Sequence, residues 1–161
     1  IGVVSLSQET FQPSTHTKTS VLFVEKTQKP TRKVFMAIAK AIGHDKNGKE
    51  TYKFRADGLP LVDENNNKIL DDDLPEITKN FRVHLNGGLK EISHLGFDFP
   101  HEDLKTNIFI PEYYNPEIRE ELENLEKTGK YHLVSMGDLV KEKVIEIRRG
   151  NEIGSRFYGT G

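Results

Sequence analysis

Two short apolar runs separated by a long polar stretch constrain the fold of this chain most. Residues 1–6, "IGVVSL", and 20–25, "SVLFVE", have the length and β-branched content of buried strands. Tight hairpins join two strands through about two to five residues, and the connection at 7–19 is far longer. Connections of that length are typically functional or disordered. Residues 7–19 are therefore the first place to look for a site.

The middle of the chain combines turn, strand and insertion signals. Residues 26–33, "KTQKPTRK", are polar and predict an exposed turn. The run 34–42, "VFMAIAKAI", fits either a helix or a strand. We favour a strand that forms a hairpin with the residues after it, closed by a type I′ turn at Asn47-Gly48. Residues 58–73 form a polar, acidic insertion without periodicity, and we find no internal repeat in the chain.

Capping residues predict two helices of useful length. The first covers 74–85, with Asp72 or Asp73 as its N-cap and a proline in its first turn. The second begins after Asn115, where Pro116 takes the first helical position and loses no hydrogen bond.

The remaining segments carry weaker signals. Between the two helices, only residues 108–110 form a plausible strand. After the second helix we expect a strand in "KYHLV", a short helix capped by Ser135 with Asp138, and a strand at 144–148.

Composition excludes several classes of protein. The chain of 161 residues contains no cysteine, so disulfides and cysteine-ligated metals are excluded, which fits a cytoplasmic protein. A formal net charge of -2 argues against a generally basic nucleic-acid binder but leaves a local basic face open. No run approaches the roughly eighteen apolar residues of a membrane helix, so we expect no membrane partner. Both ends read as internal sequence, and we expect a piece of a longer protein.

Known motifs for metals, phosphates and nucleophiles do not match. Asp and Asn alternate from Asp63 onwards as in an EF-hand, but Lys68 and Leu74 stand where that loop needs Gly and Glu. The six histidines lack ligand spacing. There is no nucleophile elbow, Walker loop or dinucleotide-binding glycine pattern. We therefore predict no metal site and no phosphate-binding motif.

Two groups of basic residues could contact phosphates or bases. The first group is Lys26, Lys29, Arg32 and Lys33. The second group is Arg148, Arg149 and Arg156, in the glycine-rich sequence "RRGNEIGSRFYGTG".

Residues 3–26, "VVSLSQETFQPSTHTKTSVLFVEK", resemble a late segment of N6-adenine DNA methyltransferases of restriction-modification systems. In that family a strand ending V-I-x-L-P runs into T-F-x-P-S/T and then K-T-S-I-L-F. Here Ser7 stands where the family commonly has proline. Residues 34–53 resemble the continuation. Residues 113–161 are similar to the linker helix and first part of a target recognition domain, as found when a type I-like methylation subunit is fused to its specificity region.

The resemblance implies an α/β fold, or α+β for this piece in isolation. Residues 1–6 and 20–25 would be the antiparallel closing hairpin of a class I methyltransferase sheet, followed by an inserted hairpin and helix region. Residues 1–103 would end the methyltransferase domain. Residues 104–161 would form the linker helix and the beginning of the target recognition domain.

The resemblance also implies a site. The segment 7–19 would border the pocket that receives a flipped-out adenine, and Phe11 would stack on or beside the base. The alternative is that Phe11 is a core residue that pins the segment down. Lys18 and Thr19 would touch the phosphate backbone. Arg148, Arg149 and Arg156 would be further DNA contacts.

The chemistry implied for the parent protein is methyl transfer from S-adenosylmethionine to N6 of adenine. The family's F-x-G-x-G-type cofactor turn and N-P-P-F/Y tetrapeptide are both missing here, since no second proline follows Asn115-Pro116. We expect no catalytic or cofactor-binding residue in this chain and no activity from it alone. The expected partners are double-stranded DNA and restriction or specificity subunits. The alternative is a DNA-specificity or protein-interaction module without enzymatic activity.

Overall fold

The computed structural model describes residues 1–28, 32–89, 91–105 and 108–147. Its centre is a four-stranded mixed sheet in the order β2-β1-β3-β4. β1 is antiparallel to β2 and parallel to β3, and β4 is antiparallel to β3. Together with three helices, the sheet makes the fold mixed α and β, as predicted. The strands are β1 (Gly2–Ser5), β2 (Ser20–Phe23), β3 (Lys33–Ile38) and β4 (Phe97–Pro100).

The core lies on both faces of β3. Phe35 and Ala37 pack with Ile77 of the helix on one face of the sheet. Val34 and Met36 pack with Tyr114 and further residues on the other face. A strand that is apolar at every position is suited to burial on both faces, which explains why "VFMAI" lies in the middle of the sheet.

The edge strand β2 differs from its prediction. All four residues of β2 are exposed, so the expectation of a buried strand at 20–25 is wrong. β2 pairs with β1, while its other edge meets no strand among the described residues. Val21 and Leu22, which alternate between the two faces, are both exposed. The position at the sheet edge, which no local pattern reveals, causes this exposure.

All three predicted helices are confirmed. They are α1 (Leu74–Leu85), α2 (Pro116–Lys127) and α3 (Met136–Lys141). Asp72 Oδ1 accepts a hydrogen bond from the amide of Leu74 at 2.9 Å. Asp73 occupies the N-cap position, but its carboxylate binds the amides of Lys40 and Ala41 instead.

The weaker strand predictions fail. Residues 108–110 and 144–147 are not strands, and neither is "KYHLV" at 130–134. The strand between α1 and α2 is instead β4. It was missed because the short run "FDFP" contains an aspartate and ends in proline. The last residue of the predicted strand 144–148 lies outside the described residues.

Between β3 and α1, residues 39–73 form short β-hairpins that meet at two three-way junctions, and we call this segment the hairpin insertion. At the first junction the amide of Gly43 donates to the carbonyl of Asp71, Asp71 to Thr51, and Thr51 back to Gly43, with N···O distances of 2.8, 2.9 and 2.9 Å. Residues 53, 61 and 69 close a second ring in the same way. The two rings satisfy backbone groups that a regular sheet would otherwise pair.

The three hairpin tips, at 45–49, 55–59 and 63–67, have one hydrogen-bond pattern. In each tip the first amide donates to the fifth carbonyl and the fourth amide to the first carbonyl. The fourth residue has positive φ: Gly48 at 76°, Gly58 at 82° and Asn66 at 62°. This is a type I turn followed by a left-handed residue, so the type I′ prediction is wrong. The hairpin insertion thus contains a structural repeat, although the sequence showed none. The prediction that β3 forms a hairpin with the residues after it is wrong, because β3 is not an arm of any of these hairpins.

The chain divides into two compact units, Ile1–Glu120 and a second beginning at Glu121. The functional division predicted from the resemblance, 1–103 and 104–161, concerns activity rather than compactness and stays a prediction. Among the described residues, no helix has both the length and the apolar character needed to cross a bilayer.

Candidate functional site

The segment 7–19, which we call the β1–β2 loop, is a folded element at the carboxyl end of β1. The amide of Leu6 donates to the carbonyl of Thr19 at 3.0 Å and closes its base. Inside it, a 3₁₀ turn covers Gln8–Phe11, and the amide of Thr15 donates to the carbonyl of Phe11 at 2.9 Å. The loop therefore has internal hydrogen bonds that hold Phe11 in one position.

Phe11 is 47% exposed and belongs to neither described core cluster. A phenylalanine that pins a loop to a core is normally buried. The exposure therefore favours an aromatic ring that is available to a ligand over a core residue, although contact with a base stays a prediction.

Glu112 connects the two ends of the β1–β2 loop. Its Oε1 accepts a hydrogen bond from Ser5 Oγ at 2.5 Å and lies 2.5 Å from Lys18 Nζ. Ser5 is the last residue of β1, and Lys18 lies just before β2. Burial alone would raise the pKa of Glu112, but the hydrogen bonds from Lys18 and Ser5 outweigh it, so the pKa lies below its usual value.

A second carboxylate, that of Glu117, contacts His94 and Lys40 near the carboxyl end of β3. Its Oε1 accepts hydrogen bonds from the amide of His94 at 2.9 Å and from His94 Nδ1 at 2.7 Å. Its Oε2 lies 3.7 Å from Lys40 Nζ. Burial opposes ionisation of Glu117, but the contacts with His94 and Lys40 prevail and lower its pKa. Glu112 and Glu117 thus make their contacts at the same end of the sheet, where the parallel strands β1 and β3 terminate.

A polar crevice of about 190 Å³ lies at this end of the sheet, between the β1–β2 loop and the hairpin insertion. In open α/β sheets, ligands bind at the carboxyl ends of the strands, so its position is typical of a ligand site. Its lining residues are Ser7, Glu9, Lys40, Ala41, Ile42, His44, Thr51 and Asp71.

An apolar groove of about 290 Å³ separates β2 from α1. Val21 and Phe23 of β2 line one side of it, and the ring of Phe23 lies 5.0 Å from that of Phe81 on α1. The remaining lining residues belong to α1 or lie in or just after β1, and none of them lines the polar crevice.

A histidine and an aspartate form a mostly enclosed pair at the carboxyl end of α1. His84 Nδ1 lies 2.6 Å from Asp98 Oδ1, and the His84 ring stacks on Phe81. The second oxygen of Asp98 accepts a hydrogen bond from the amide of Leu89 at 3.3 Å. Because both side chains are enclosed, this pair ties α1 to β4 rather than forming a catalytic dyad.

The sequence-predicted contacts have different surroundings. Lys18 is paired with Glu112 while more than half of its side chain stays exposed. Thr19 Oγ1 is buried and finds no hydrogen-bond partner in the described part of the chain, so it reaches a phosphate only if the loop moves. Arg148, Arg149 and Arg156 lie outside the described residues. Lys33 of the first basic group contacts Asp98.

Sequence reasoning missed Ser5, Glu112 and His94 as site residues. Ser5 is inside a strand, and the other two lie in segments without a motif. They come together only through the sheet. In the described ranges, no cluster of three or more His, Asp or Glu side chains could hold a metal ion.

Comparisons with models of known families, with curated proteins and with solved structures found no match. The geometry of this edge of the sheet is therefore the basis for a functional proposal.

Proposed function

We propose that this chain is part of a site-specific DNA adenine-N6 methyltransferase. It would contribute the closing edge of the catalytic sheet and, through residues 104–161, the start of the region that reads the DNA sequence. The observation that carries the proposal is the position of Phe11. Its half-exposed ring sits on an ordered loop at the carboxyl ends of two parallel strands. Base-flipping enzymes hold the extruded base by stacking it against aromatic or apolar side chains.

The open edge of β2 supports the proposal independently. An exposed, apolar edge strand is a liability in an isolated domain, and proteins normally cover or pair it. β2 has apolar side chains on both faces and an apolar groove beside it. We propose that a further strand from the catalytic domain pairs with β2 and that a helix from that domain covers the groove.

The chemistry in the parent protein would be methyl transfer from S-adenosylmethionine to N6 of an adenine. The residues that bind the cofactor and the N-P-P-F/Y tetrapeptide would come from another part of the polypeptide. Lys18, Thr19, Arg148, Arg149 and Arg156 would contact double-stranded DNA. Restriction or specificity subunits would be protein partners, in the cytoplasm.

A second candidate is a protein-interaction module without enzymatic activity. The exposed edge of β2 favours it, since edge strands also pair with strands of other proteins. The sequence encoded on either side of this segment separates the two. An N-P-P-F/Y and a glycine-rich cofactor turn upstream would support the enzyme, and a start codon directly before Ile1 would rule it out.

The biochemical test measures transfer of labelled methyl groups from S-adenosylmethionine to adenine-containing duplex DNA by the full-length protein. Base–aromatic stacking is worth about 1–3 kcal/mol, so Phe11→Ala should lower kcat/KM about tenfold or more. The matched control is Phe54→Ala, which removes a more exposed phenylalanine from the hairpin insertion and should leave the rate unchanged. Equal rates for wild type and Phe11→Ala, or no methyl transfer by the wild type, would contradict the proposal.

A further inference from the structure

Two glutamates five positions apart, Glu112 and Glu117, make contacts close to the carboxyl ends of the two neighbouring parallel strands β1 and β3. We infer that Glu112 is a positioning residue for the β1–β2 loop. It joins both ends of that loop to the 3₁₀ turn that precedes α2. The inference rests on the proposed function only for the ligand of the loop, an extruded adenine.

The first step of the argument is the geometry at Glu112 Oε1. One oxygen atom receives Ser5 Oγ from the residue before the loop and Lys18 Nζ from a residue at its end. Ser5 is only 1% exposed, so its hydroxyl needs a partner within the protein. A neutral or missing side chain at 112 would weaken both attachments at once.

The second step is the rigidity of the element that carries Glu112. It belongs to the 3₁₀ turn Pro111–Tyr114, in which Pro111 and Tyr114 are buried. The ring of Tyr114 lies 4.3 Å from that of Phe99 on β4, and its hydroxyl accepts a hydrogen bond from the amide of Lys105. The carboxylate of Glu112 is therefore held by the core, and the loop is held by the carboxylate.

The third step is the neighbouring attachment at Glu117, in the first turn of α2. Its contacts with His94 fix that turn beside the carboxyl end of β3, where the amide of Ile38 donates to the carbonyl of His94 at 2.7 Å. Residues 113–116, which connect the 3₁₀ turn to α2, thus lie between two anchored carboxylates. A displacement of the start of α2 would pull directly on the loop that carries Phe11.

The experiment is hydrogen exchange of the full chain, read by mass spectrometry on wild type and Glu112→Gln. The amides of Gln12 and Thr15, which donate within the loop, report its order. We expect their exchange to speed up about tenfold in Glu112→Gln, because the hydrogen bonds from Ser5 and Lys18 to a charged acceptor become weaker bonds to a neutral one. Exchange in α1 should not change. Lys18→Met, which keeps the Ser5 bond, should give a smaller increase, and the charge reversal Lys18→Glu with Glu112→Lys should restore part of the protection.

The matched control is Glu120→Gln on α2, which removes the same charge from a carboxylate that has no hydrogen-bond or ion-pair partner among the described residues. Unchanged exchange in the loop of Glu112→Gln, or an equal increase throughout the chain, would overturn the inference.

Methyl transfer by the full-length protein separates this inference from the proposed function. If Glu112 positions the loop, Glu112→Gln should raise KM for DNA more than it lowers kcat. If the loop loosens in Glu112→Gln but the wild type transfers no methyl groups, the proposed function is refuted and the positioning role of Glu112 stands. An active wild type whose loop does not loosen in Glu112→Gln would do the reverse.

Discussion

Ser5 and Glu112, which are 107 positions apart, share a hydrogen bond of 2.5 Å between Oγ and Oε1. The bond connects the end of a central strand to the turn before α2. Lys18 reaches the same oxygen atom, so three distant segments meet at one carboxylate. This contact explains why a loop of polar residues is ordered at the edge of the sheet.

The first prediction concerns the pH dependence of stability. Burial opposes ionisation of Glu112, but the contacts with Lys18 and Ser5 lower its pKa below the usual 4.5. A carboxylate with a lowered pKa stabilises the fold fully above its unfolded-state value and loses that contribution as the pH falls through the folded-state value. Between about pH 5 and pH 3, wild type should lose about 1 kcal/mol more stability than Glu112→Gln, measured by urea unfolding. Parallel pH profiles would contradict this account.

The second prediction compares two phenylalanines. Phe35 is completely buried, so Phe35→Ala should cost about 3–5 kcal/mol of unfolding free energy. Phe11 is half exposed, and Phe11→Ala should cost less than about 1 kcal/mol. Guanidinium unfolding of both variants measures the difference. A cost at Phe11 as large as that at Phe35 would mean that Phe11 is a core residue.

The third prediction concerns Asp73. Its Oδ2 accepts hydrogen bonds from the amides of Lys40 and Ala41 at 2.8 and 2.9 Å. Asp73→Ala removes both and should cost about 1–3 kcal/mol, whereas Asp73→Asn keeps a carbonyl acceptor and should cost less. The measurement is thermal unfolding followed by circular dichroism. Equal effects of the two substitutions would show that the charge, and not the pair of hydrogen bonds, stabilises this contact.

The fourth prediction concerns the hairpin tips. Gly58 has φ +82° with open space around its Cα, so Gly58→Ala should destabilise its hairpin by about 1 kcal/mol through backbone strain alone. Asn66 adopts φ 62° at the corresponding place, and Asn66→Gly should be neutral or stabilising. Amide exchange of the hairpin residues measures both effects. Protection that changes equally in both variants would contradict the strain argument.

Local signals in the sequence account for the helices. At the start of α2, Pro116 takes the first helical position and Asn115 Oδ1 accepts a hydrogen bond from the amide of Glu117. At the start of α3, Ser135 Oγ accepts a hydrogen bond from the amide of Asp138. Capping depends on neighbours within about one turn, so a sequence window contains all the necessary information. The antiparallel pairing of β1 with β2 was expected from the resemblance and is present in the structure, but no signal in the sequence predicted the exposure of β2.

The hairpin insertion shows where local reasoning fails. The pair Asn47-Gly48 predicted a turn, and a turn is present, but its partner strand is not β3. The junction that joins Gly43, Thr51 and Asp71 depends on three segments pairing at once. No periodicity within one segment can report such a contact.

By itself, the sequence determined where each helix begins and the presence of the two strands that flank the β1–β2 loop. The tertiary structure alone decided that β3 lies beside β1, that β2 is an exposed edge, and that Glu112 meets Ser5. The physical reason is the range of the interactions. Caps and turns involve adjacent residues, whereas strand order and the contacts of a buried hydroxyl are decided by which distant surfaces exclude water together.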